Sequence, residues 1–79
     1  MNDENTAFLM TADSAIIADM VGEMLNDNGI PSLRKYHGAG LHFKLVLGNT
    51  GFGINIYVPF KALKKAKELI AVMFDNEIN

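Results

Sequence analysis

A strand followed by an amphipathic helix occurs twice in this chain, at Ala7–Pro31 and again at Ile54–Phe74. This doubling restricts the fold more than any other feature, because each helix has one apolar side that must be buried against another layer. Two such units make a small layered domain with both helices on one side of a sheet. Scaffolds of that kind serve ligand sensing and protein binding. The pattern does not imply a reaction.

The first unit is the clearest. Ala7–Thr11 is a short apolar run, too brief for a helix and suited to a strand buried on both faces. Thr11 or Asp13 can cap a helix over Ser14–Asn28. Its stripe is Ile16, Ile17, Met20, Val21, Met24 and Leu25, with Ala18 and Gly22 on the flank. Gly29 supplies the left-handed residue that stops the helix, Ile30 folds back on the last turn, and Pro31 prevents continuation.

Ser32–His37 follows as a strand of poor alternation, whose adjacent Arg34 and Lys35 suit a sheet edge. Gly38–Gly40 makes a turn. Leu41–Leu47 alternates well, with His42, Lys44 and Val46 on one face. Gly48–Gly53 is a glycine-rich loop, after which Ile54, Ile56 and Val58 point one way and Asn55 and Tyr57 the other. The second helix spans Pro59–Phe74 and buries Ala62, Leu63, Ala66, Leu69, Ile70, Met73 and Phe74. Ala62 and Ala66, four residues apart, allow close approach to the first helix. Residues 1–6 read as a disordered polar start, 7–74 as one domain and 75–79 as a fraying polar tail.

At 79 residues the core is thin, and with no cysteine neither a disulfide nor a thiolate metal site can reinforce it. Hydrophobic residues are 49% of the chain, too many for a disordered segment. No apolar run is long enough for a membrane span, and the acidic start Met1–Asn5 is unlike a signal peptide. A cytoplasmic protein is the simplest reading. Net charge is −2, but the charges are sorted. Residues 1–28 hold only acids, residues 29–67 only bases, and Glu68, Asp75 and Glu77 close the chain. This sorting reads either as a basic surface for an anion or as two solvated faces that attract within or between subunits. The second reading is the simpler.

The order of strand, helix, three strands and helix gives an α+β, ferredoxin-like split βαβ sandwich with an extra middle hairpin and no evident last strand. Both helices lie on one face of an antiparallel sheet. Without a last strand, Ala7–Thr11 keeps an open edge that a homo-oligomer can cover. The helix stop Leu25–Pro31, the junction Ile56-Tyr57-Val58-Pro59, and Ala62 with Ala66–Ile70 resemble a small bacterial family of unknown function. Its members are labelled prokaryotic signal-transducing proteins and are similar in fold to the PII-type nitrogen regulators. The same motifs suit an ACT-type amino-acid-sensing domain. The resemblance covers about residues 7–73 and implies signal transduction, with no catalytic residues to carry over.

The residues themselves offer no catalytic constellation and call for no cofactor. His37 and His42 flank the glycine turn, but no acid lies between residues 29 and 67 to complete a metal site. Gly48–Gly53 lacks the lysine-serine ending of a phosphate loop. Nucleic acid is disfavoured by the net charge and by Tyr57 as the one outward strand aromatic. Two candidate sites remain. Lys61, Lys64 and Lys65 crowd a helix start that is already positive, so an anion could dock there, with Gly51 and Gly53 allowing close approach of the loop. The alternative is a solvated lysine face. The open sheet face bearing His42, Lys44, Asn55 and Tyr57 suits a peptide, a nucleotide or another subunit, or is ordinary strand surface, so the expected partner is an unknown protein or a small anionic ligand. The leading expectation is a non-enzymatic regulatory or interaction module. A small-molecule sensor for a nucleotide or amino acid is the alternative.

Overall fold

The computed structural model describes residues 5–36 and 53–78. The expected turn at Gly38–Gly40, the strand at Leu41–Leu47, and His37, His42, Lys44 and Gly51 lie outside the described residues. The elements run β1 (Thr6–Ala12), α1 (Ala15–Asp27), β2 (Leu33–Tyr36), β3 (Ile54–Pro59), a 3-10 turn at Phe60–Ala62, and α2 (Leu63–Ile78). The chain is α+β; among the described residues there are a three-stranded antiparallel sheet, in the order β1-β3-β2, and two helices.

The strict alternation of β3 fixes the layering. Ile54, Ile56 and Val58 are buried, and the same cluster takes Ala18, Val21 and Leu25 from α1 and Ala66 from α2. Both helices therefore cover the same face of β3. Asn55 and Tyr57 point to the other face, as the period of two requires.

β1 departs from the expected strand buried on both faces. Phe8 is opposite Tyr57 and Met10 opposite Ile56, so Leu9 is an extra residue in a β-bulge. The bulge lets Leu9 and Met10 both pack against the core while Phe8, 50% exposed, stays on the opposite face. A continuous apolar run thus serves one face, with one aromatic left outside. Thr6 pairs with Pro59, so the strand takes in a residue expected to belong to the polar start.

The end of α1 is as expected. Gly29 has φ +75°, its N–H donates to Asn26 O at 3.0 Å, and the Ile30 N–H donates to Leu25 O at 2.9 Å. This pair of bonds is a Schellman stop, with Ile30 folded into the core behind it. The start differs. Ser14, not Thr11 or Asp13, is the cap, its hydroxyl accepting from the Ile17 N–H at 3.3 Å. Thr11 is unavailable because β1 runs on to Ala12.

The buried side of α1 is also rotated from the expected stripe. Ala18, Val21 and Leu25 are its centre, whereas Ile16 is 72% exposed and Met20 37%. Small Ala18 lets the helix settle closely on its neighbours, which turns Ile16 and Met20 outward. α2 follows expectation more nearly, with Ala66 buried and Ala62, Leu63, Leu69, Ile70, Met73 and Phe74 packed around the core. Pro59 ends β3 instead of opening the helix, and α2 continues to Ile78 where a fraying tail was expected from Asp75.

Candidate functional site

The start of α2 is built by an abrupt change of direction. Pro59, with φ −56° and ψ 139°, ends the strand and caps the 3-10 turn, and it offers no side-chain acceptor to the turn's backbone donors. Phe60 falls at the first position of the turn, where neither the sheet nor the helix covers it, and is 71% exposed. Lys61, Lys64, Lys65 and Lys67 are all exposed.

Helix spacing, not adjacency in sequence, decides which lysines share a site. An open hollow of about 350 Å³ is lined by Phe60, Lys61, Leu63, Lys64 and Lys67. A second, of about 420 Å³, joins Phe60 and Lys61 to Asn5 and Pro59. Lys65 lies about 100° round the helix from Lys64 and lines neither, and Lys67, three residues on from Lys64, takes its place. Gly53 does not join the lysines either. It sits at the other end of β3, about 20 Å of extended chain away. There it has φ +86°, and a Cβ would fall 2.6 Å from Thr11 Cγ2 and 3.3 Å from Ala12 O. Its role is a tight entry into β3.

The sheet face opposite the helices gathers a different set. Phe8 meets Tyr57 edge to face, with centroids 5.8 Å apart and planes at 72°. Lys35 Nζ lies 5.1 Å over the Tyr57 ring, and the Thr11 hydroxyl donates to Asn55 Oδ1 at 2.7 Å. Phe8 joins Tyr57 on this face, so the expectation of Tyr57 alone is corrected. Phe8 escaped notice because only the bulge puts it outside. Lys35 thus stands over one face of the Tyr57 ring, with Phe8 against its edge.

Arg34 is the other residue whose place the sequence did not show. Opposite Ile56 in the ladder, it points to the helix side of the edge strand and reaches α1. Its Nη1 pairs with Asp19 at 2.8 Å and its Nη2 donates to Ala18 O at 3.2 Å. This side chain lines a polar cleft with Asp19, Gly22, Glu23, Asn26 and Ser32. Its guanidinium is engaged in fastening β2 to α1, which leaves the Phe60 surface as the better candidate for binding.

No protein-family model, curated protein or solved structure matches this chain.

Proposed function

We propose that the chain is a non-enzymatic interaction module that holds an anionic partner on the Phe60–Lys61–Lys64–Lys67 surface. One observation carries this reading. An exposed aromatic stands among three lysines at a helix start without a side-chain cap, and no lysine there has an acidic partner among the described residues. Lys61 and Lys64, at the turn and in the first turn of the helix, each cost a few tenths of a kcal/mol against the helix dipole. A bound carboxylate or phosphate reverses that cost and meets the open backbone donors.

The sheet order also supports a ferredoxin-like plan, since β3 lies between β1 and β2 as in a split βαβ unit, with both helices over one face. That plan agrees with the resemblance to the prokaryotic signal-transducing family. A regulatory role suits such a scaffold, which presents helix starts and sheet faces as separate surfaces.

The test is titration of the labelled protein with a polyglutamate peptide while its amide resonances are followed. Shifts should concentrate in residues 59–67. The triple variant Lys61→Gln, Lys64→Gln, Lys67→Gln should lose them while staying folded, with equal or slightly greater stability. Shifts scattered over the molecule, or none, would remove the proposal. The uncapped turn favours a second reading, a sensor for a small anion. In that case inorganic phosphate alone should saturate the same resonances and stabilise the fold by about 2.7 kcal/mol at 100 Kd.

A further inference from the structure

We propose that the partner of this surface is the outer face of α1 on a second copy of the chain. The inference rests on the reading of the Phe60 surface as a site for an anionic partner, and it names that partner.

Two stripes on the helix layer match in spacing and oppose in charge. On α1, Ile16, Met20, Glu23 and Asp27 recur at intervals of four, three and four, so they line one side of the helix over about 16 Å. All four are exposed. Phe60, Lys64, Lys67 and Ala71 repeat the same intervals along the 3-10 turn and α2, and they too are exposed. Each stripe combines apolar side chains with charges of one sign, acidic on α1 and basic on α2.

The two stripes do not satisfy each other within one molecule. The helices turn their other sides, Ala18, Val21 and Leu25 on α1 and Ala66 on α2, into the common core. Among the described residues, Glu23, Asp27, Lys61, Lys64 and Lys67 have no ion-pair partner. Asp19, by contrast, pairs internally with Arg34 on the flank of α1. A second copy supplies both missing halves. Related by a two-fold axis, two copies make the α1-to-α2 contact twice and bury Ile16, Met20 and Phe60 beneath rims of opposite charge.

Sedimentation of the full chain, from low micromolar to near-millimolar concentration, tests this. The wild type should associate reversibly into a dimer or larger species. Association should weaken in about 1 M salt, where screening shortens to about 3 Å. Glu23→Lys with Asp27→Lys, and separately Lys64→Glu with Lys67→Glu, should each weaken association by about tenfold or more. Circular dichroism should show both variants folded, and mixing the two should restore a complex. A monomeric wild type overturns the inference, as does association that neither pair of changes disturbs, the result expected if the β1 edge were the contact. Polyglutamate separates the two levels of failure. A monomer that still binds it through Lys64 and Lys67 keeps the anionic-partner surface and loses the second copy. A monomer that does not bind it loses both.

Discussion

Two glycines have similar backbone angles and different surroundings, and the difference decides what each tolerates. Gly29 has φ +75° with open space where a Cβ would stand. Gly29→Ala therefore meets only the backbone penalty of the left-handed region, about 1–2 kcal/mol, with the β-branched Gly29→Val above it. Gly53 carries the same kind of penalty plus a clash with Thr11 and the Ala12 carbonyl. Thr11 cannot swing away cheaply, being stiff at χ1 and hydrogen-bonded to Asn55. Gly53→Ala should thus cost about 1–3 kcal/mol more than Gly29→Ala, read as the difference in urea midpoints. Gly29 was legible because the helix stop is written in consecutive residues, Gly29, Ile30 and Pro31. The cap at Ser14 was not, since Thr11, Asp13 and Ser14 all have capping side chains; the length of β1 removes Thr11, and the bond from the Ile17 N–H picks out Ser14.

Among the elements, β3 and α2 were readable because each keeps one period from end to end. α1 mixes two apolar stripes, and their periodicity alone does not say which one the sheet takes. Small residues decided it. Gly22 extends that lesson, standing with Ser32 and Arg34 Nη2 nearby, the latter 3.1 Å from where a Cβ would be. Alanine there gains about 1 kcal/mol of helix propensity. The group in its way is the tip of a half-exposed arginine that can give by a few tenths of an ångström. Gly22→Ala should therefore raise stability, by less than about 1 kcal/mol, measured as a higher denaturant midpoint with unchanged slope. A lower midpoint would show that the Arg34 clamp on Asp19 and Ala18 is rigid.

The whole molecule has a small core, and its sites follow from how two helices share one sheet face. Leu25 is fully buried between the helix stop and β3. Leu25→Ala should cost about 2–5 kcal/mol, a large part of the total stability of so small a domain, and melting should show a partly unfolded population at moderate temperature. The lysine cluster was legible as a charge run but not in its membership. Adjacent lysines scatter round a helix, and those that converge are spaced by turns. The aromatic pair on the far face was hidden for a related reason, because a bulge interrupts the count by which faces are read.

That bulge has a consequence for how the strand tolerates change in length. β1 is two half-strands whose parity is reset at Leu9, so the residues before and after it keep their own count of inside and outside. Loss of Leu9 alone would close the ladder with Phe8 still outside and Met10 still inside. Loss of a residue within β3, which pairs on both sides, would exchange its faces and turn Asn55 or Tyr57 into the core. Among the described strands, β1 thus carries one spare position where β3 permits none.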